Sequence, residues 1–234
     1  MLGRVPQKQK CMRNFATVAR DHVSLLEKQL SAVWPATVNA CLPASGSNTR
    51  VAVAASTRMG ATSLAAFRMA WRHGQTVIPV DANQPKRDLI RHLVRSKVGV
   101  VVTPDGQNTV VQESAAELGL PSFQVHPDKV STGSLEDVTT GAKEDDAPVL
   151  HLYSDGDLDS ANILPRPVVV SQKQLQIRVK SAVDLWQLKE TDRVLSCLPA
   201  PHEAVVVDGT EAPLSVGGQI CLPTSYGVWD LWKY

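Results

Sequence analysis

Apolar positions along the chain switch between a helical and an extended period, and the switches predict its elements. Val23, Leu26, Leu30, Val33 and Trp34 recur at helical spacing, so a helix is expected over 23–34. Pro35 should end it, because proline lacks the amide that a helix interior needs. Ser45 to Asn48 reads as a loop, and Arg50–Ala55 as a buried strand. Thr57 is placed to cap a helix reaching His73, with Leu64, Phe67 and Trp71 on one face. Gly74 then occupies the position favoured just after a helix.

Thr76–Val80 is the next strand, and Asp81–Pro85 a turn. Lys86–Lys97 follows as an amphipathic helix carrying Leu89, Ile90, Leu93 and Val94. Val98–Val102 is almost continuously apolar, as in a parallel strand covered on both faces. A helix over Asn108–Leu118 and a short strand over Ser122–Val125 come next; residues 127–147 are polar and loop-like. After an apolar run at Val149–Tyr153, a second run precedes Ser171. That serine should cap a helix to about Leu188, with Leu175, Val179, Ala182, Val183 and Trp186 turned inward. Strands alternating with helices in this way predict an α/β fold, a mostly parallel sheet flanked by helices.

Composition narrows the class without naming a function. The chain of 234 residues is 43% apolar and 20% charged, which suits a globular protein with a sizeable core. Its formal charge of +1 gives no argument for nucleic acid. No run approaches the roughly 18 apolar residues that span a bilayer. Cys11, Cys41, Cys197 and Cys221 lack metal-ligand spacing, so neither a metal site nor a disulfide framework is expected.

Charge is unevenly placed. Residues 1–20 hold Arg4, Lys8, Lys10, Arg13 and Arg20 and no acid; Asp21 is the first. An acid-free basic start reads as a mitochondrial import leader rather than an ordinary basic tail, so 1–20 is expected to be a leader and 21–234 the domain.

The chemistry concentrates between the two apolar runs near the middle. Tyr153-Ser154-Asp155-Gly156-Asp157-Leu158-Asp159 sits where a strand feeds a small polar loop, the layout of a phosphate-binding loop. Such a loop needs backbone amides, hydroxyls and a lysine. Here Asp155, Asp157 and Asp159 place like charge where an anion would sit, a repulsion of order a few kcal/mol each at close range.

These residues resemble the signature of the adenylate-forming, AMP-binding superfamily, which includes the acyl-CoA synthetases. That signature runs Tyr-Thr-Ser-Gly-Thr-Thr-Gly-x-Pro-Lys-Gly, then an apolar strand, Thr-His and a long helix. Tyr153 and Gly156 match, and Ser154 stands in for a threonine. Asp155, Asp157, Leu158 and Asp159 replace the Ser-Thr-Thr-Gly run; Ser160 to Ile163 are extra, and Ser171-Gln172 replaces Thr-His. Pro165-Arg166-Pro167 stands where Pro-Lys-Gly would, and the Arg166 fork is no substitute for a point-charge lysine.

The resemblance extends over residues 22–232. The segment 50–85 is similar to the family's strand, its helix ending in Trp-x-x-Gly, and its Val-x-Pro strand. Asp192-Arg193-Val194 to Pro199 resembles its Asp-Arg-Val strand, and His202 its Leu-Pro-x-x-His histidine. Pro213 to Pro223 resembles the strand after its x-Pro-Leu-x-x-Gly turn. The resemblance implies the first part of the large domain of an acyl-CoA synthetase, in two halves about loop 127–147. The sequence as written stops at Tyr234, ahead of the family's adenine-binding, ribose-binding and C-terminal catalytic segments.

Together these features imply a catalytically inactive relative without catalytic residues or a cofactor. Tyr153, Ser154, Asp155, Gly156, Asp157, Asp159, Arg166 and His202 are then vestigial. Its expected partners are other protein subunits of a large mitochondrial complex, an ATP synthase or a ribosome for example, with Trp229, Trp232 and Tyr234 as a partner anchor. The alternative is a nucleotide- or CoA-binding module with residual or partner-complemented ligase activity. Three other constellations are weaker. Ser154 with His202 lacks a nucleophile elbow; the three aspartates lack the glycine and glutamate of a calcium loop. Lys86, Arg87, Arg91, His92, Arg95 and Lys97 make a basic helix face that is expected to be solvated.

Overall fold

A computed structural model describes residues 15–41, 50–55, 60–104, 109–125, 145–153, 167–198 and 202–223. The elements are β1 (Phe15–Ala19), α1 (Arg20–Thr37), β2 (Arg50–Ala55), α2 (Ala61–Arg72), β3 (Thr76–Asp81), α3 (Lys86–Arg95), β4 (Val100–Pro104), α4 (Thr109–Glu117) and β5 (Ser122–Val125). Then come β6 (Pro148–Tyr153), β7 (Pro167–Ser171), α5 (Gln172–Trp186), β8 (Arg193–Leu195), α6 (Glu203–Val206), a π-helix (Val207–Glu211), α7 (Ala212–Ser215) and β9 (Gln219–Pro223).

Six strands form one sheet in the order β5-β4-β2-β3-β6-β7, parallel throughout except for the antiparallel β6–β7 edge. A smaller sheet has the order β1-β9-β8. The side-chain period of two sorts the central strand β2 between both faces. Val51 and Val53 pack with α1, α2 and α5, whereas Ala52 and Ala54 pack with α3 and α4. Connections leaving β2 toward β3 carry their helix on the first face. Those turning back from β3 to β4 and on to β5 carry theirs on the second. That switch of face on reversing direction keeps every crossover the same hand. The architecture is the α/β sheet flanked by helices that the periodicity predicts.

Several expectations are corrected by packing. Helix α1 runs on through Pro35 to Thr37, with Val38 N–H donating to the Trp34 carbonyl at 2.9 Å. Trp34 is fully buried and its Nε1 donates to Gln75 Oε1 at 3.2 Å. This tertiary anchor holds the last turn against a proline cost of about 3 kcal/mol. Helix α2 begins at Ala61, capped by Gly60, and Thr57 lies outside the described residues. Gly74 has φ +71°, and Gln75 N–H closes back onto the Ala70 carbonyl, as expected of a helix stop. Lys97 adopts the same left-handed conformation after α3 at φ 51° without being glycine.

Val94 and Trp186, both expected to face inward, are 58% and 64% exposed. On α5 the inward stripe is Leu175, Val179, Ala182 and Val183; Trp186 continues its phase but is the last residue of the helix. Residues 15–20, within the stretch read as a leader, form β1 and the first residue of α1; β1 is the antiparallel partner of β9. Residues 1–14 and most of loop 127–147 lie outside the described residues. Among the described residues no helix is long and apolar enough to cross a membrane.

Two substitutions test the local logic. Ser171 closes a capping box on α5: its Oγ accepts from Gln174 N, and Ser171 N donates to Gln174 Oε1. Ser171→Ala should lower unfolding free energy by about 1 kcal/mol in urea titration. At Gly218 a Cβ would stand 3.1–3.3 Å from the carbonyls of Pro213, Asp192 and Lys189. Backbone on three sides cannot yield as a side chain would, so Gly218→Ala should cost more, about 1–3 kcal/mol in the same titration.

Candidate functional site at the end of β6

The polar loop of interest is closed at its stems. β6 and β7 pair with Tyr153 opposite Pro167, Leu152 opposite Val168 and His151 opposite Val169. Residues 154–166 span from one stem to the other. Ser154, Asp155, Gly156, Asp157, Asp159 and Arg166 all lie outside the described residues, as do Trp229, Trp232 and Tyr234. Tyr153 and His202 are the predicted site residues whose surroundings the structure describes.

Tyr153 is held on three sides. Its ring stacks on His151 with centroids 5.1 Å apart, and meets His92 of α3 edge-on at 4.5 Å. Its hydroxyl hydrogen-bonds with Ser96 Oγ at 2.9 Å, and the Ser96 carbonyl accepts from Arg50 Nη1 at 2.8 Å. His151 is buried, and among the described residues neither of its ring nitrogens is hydrogen-bonded, nor is the enclosed Nε2 of His92. Burial, then the charge of the other imidazole, lowers the His92 pKa to about 4. Burial and then Arg50 lower that of His151. His92 is therefore no part of a solvated basic face, contrary to its reading from the helix pattern. Lys86 on that face pairs with Glu117 at 3.0 Å, and Arg91 lies 3.7 Å from Asp88.

The start of α5 offers an anion little. Gln172 N–H donates to the Ala147 carbonyl and Lys173 N–H to the Asp145 carbonyl, both at 3.0 Å, while Gln174 N–H goes to Ser171. The first three amides, which would otherwise face a phosphate, all have acceptors within the protein. His202 is exposed, and its Nδ1 accepts from Ala204 N at 3.2 Å, at the start of the short helix α6. No hydrogen bond joins it to Tyr153. Cys197 and Cys221 are free thiols, and burial pushes the Cys197 thiol up, away from the reactive thiolate form. Among the described residues no group of three His, Cys, Asp or Glu could hold a metal.

Among the described residues, clefts lie elsewhere. One of about 390 Å³ runs between α2, α5 and α7, with Trp71, Leu175, Val183 and Glu211 in its walls. The other, about 480 Å³, lies beside β8 and is lined by Trp186, Leu195, Leu198 and Asp208. Neither reaches Tyr153.

A charge network that sequence reasoning missed underlies the first cleft. Glu27 of α1 is 4% exposed and accepts from Arg72 Nη2 at 2.6 Å and Arg68 Nη1 at 3.4 Å. Arg68 also forks onto Glu211, with Nε at 3.1 Å and Nη2 at 2.9 Å. Burial works against the Arg68 charge, but Glu211 and Glu27 outweigh it and raise its pKa. No local pattern in the sequence joins positions 27, 68 and 211.

The arrangement of strands has known counterparts. It matches apo MatB from Rhodopseudomonas palustris with a TM-score of 0.68 at 16% identity, over 91% of this chain and 41% of that one. A malonyl-CoA ligase solved as a ternary product complex with methylmalonyl-CoA and AMP gives 0.68 at 18%, over 91% and 40%. The chain has the fold of the N-terminal part of the adenylate-forming ligases. A nonribosomal peptide synthetase, FmoA3, matches at 0.61 and 20% identity, over 88% of this chain and 19% of that one. Identities this low speak for this AMP-binding fold alone, and the chain spans about 40% of the length of the ligases it matches. No protein-family model matches the sequence, and no curated protein does.

Among the described residues Arg68 is the cation that joins α1 to the π-helix, so Arg68→Met should leave Glu211 without its ion pair and Glu27 with Arg72 alone. A loss of about 3 kcal/mol in unfolding free energy is expected, measured by urea titration. A change below about 0.5 kcal/mol would show that the network contributes nothing.

Proposed function

We propose that this chain is a catalytically inactive relative of the adenylate-forming ligases. It serves as an interaction subunit of a larger mitochondrial assembly. The observation that carries the reading is the charge of the loop after Tyr153. Asp155, Asp157 and Asp159 stand where the AMP-binding signature has hydroxyls and glycine, and the loop holds no lysine. A triphosphate there would meet repulsion of order a few kcal/mol from each acid at close range. The saturated amides at the start of α5 point the same way.

A role through surfaces is supported by the apolar side chains beside the second cleft. Trp186, Leu195 and Leu198 line it and are all exposed. Contiguous apolar surface of this kind commonly marks a protein contact. The acid-free basic residues 1–20 support mitochondrial import.

Tagged in its native source and sized by gradient sedimentation, the chain should co-migrate with a megadalton particle whose subunits mass spectrometry identifies. Migration as a free species near 25.3 kDa would sink the assembly role. The second reading, a nucleotide- or CoA-binding module, draws on related folds solved with ATP, or with AMP and methylmalonyl-CoA, bound. It predicts that one of these ligands at a hundred times its Kd adds about 2.7 kcal/mol of stability. The inactive reading predicts no shift in melting temperature with ATP, AMP or a CoA ester.

A further inference from the structure

Three aromatic rings from two elements meet at the end of β6, and two of them carry nitrogens with nothing to bond. His151 is 4% exposed, and among the described residues neither of its ring nitrogens nor Nε2 of His92 has a partner. Tyr153 lies against both rings and is fastened by its hydroxyl to Ser96, just past the end of α3. Tyr153 is also the stem residue of the β6–β7 hairpin. We propose that His92, His151 and Tyr153 form a proton-operated latch, in which protonation of either imidazole releases Tyr153 from Ser96 and loosens the β6–β7 hairpin.

The surroundings explain why a proton is not tolerated. Arg50 of β2 brings a positive charge to the same place, donating to the Ser96 carbonyl. From α3 and its last turn come His92 and Ser96, and from β6 His151 and Tyr153. β7 presents Val169 opposite His151 and nothing that titrates. Asp81, at the end of β3, turns its carboxylate to Asn83. Among the described residues, then, no carboxylate ion-pairs with either imidazole. An imidazolium formed here would be buried beside Arg50 and a second imidazole, without a counter-charge.

The sign follows from the closed state favouring neutral rings. His92 titrates near 4 when closed, whereas a released ring titrates near its ordinary 6.5. Closure is therefore undiminished above about pH 6.5 and is lost progressively as pH falls toward 4.

Hydrogen exchange read by mass spectrometry tests the latch on the full chain. Protection factors for 148–153 and 167–171 should fall about tenfold or more between pH 7.5 and 4.5, while those of α2 and β3 hold. The double variant His92→Phe/His151→Phe should keep hairpin protection across that range. Unchanged protection in the wild type, a loss spread evenly over the molecule, or an identical loss in the double variant would each overturn the proposal. Should the double variant fail to fold, Ser96→Ala removes the other half of the latch and leaves both rings in place. It should open at a higher pH than the wild type, and opening at the same pH would equally overturn it.

Discussion

A carboxylate that is almost out of contact with water must be met by cations or give up its charge. Glu27 is in that position, and the way it is satisfied ties the molecule together. Arg72 and Arg68 both reach it from α2, and Arg68 passes on through its guanidinium fork to Glu211 in the π-helix. The first helix, the second helix and the segment leading into β9 thus share one set of charges. β9 in turn pairs with β1, which runs directly into α1, so the small sheet is bound to the large one through both chain and charge. The apolar residues of that face, from Val51 of β2 to Ile220 of β9, form a single continuous core.

How much of this was legible depends on the range of the forces involved. Periodicity is local, and the strands and helices from Arg50 to Val125 stand close to where the apolar pattern puts them. The misplacements occur where a distant contact outranks a local rule. Pro35 sits inside its helix because Trp34 is locked from another element. Trp186 is in phase with the stripe of Leu175 and Ala182, but it is the last residue of α5, followed by the left-handed Gln187, and it is exposed. β1 was hidden in a basic stretch because its partner, β9, lies two hundred residues further along the chain.

The candidate site was legible as a place and less so as a structure. The order strand, polar loop, strand, capped helix is present in β6, β7 and α5, and it belongs to the fold shared with the ligases. What could not be read was the setting of Tyr153. His151 sits in an apolar strand and His92 in a basic helix, and each looked ordinary among its own neighbours. Only the crossing of α3 over the sheet sets them about the same tyrosine.

The pairing of Tyr153 with Pro167 fixes the two ends of the segment between β6 and β7. The stems are pinned by strand pairing, so lengthening the chain between them adds the entropy of closing a larger ring. That term changes by only about 0.6 kcal/mol for a doubling in length and is indifferent to charge pattern. By that term alone, added length between the stems costs the sheet little. A hairpin pinned in this way sets almost no limit on the length of chain that joins its strands.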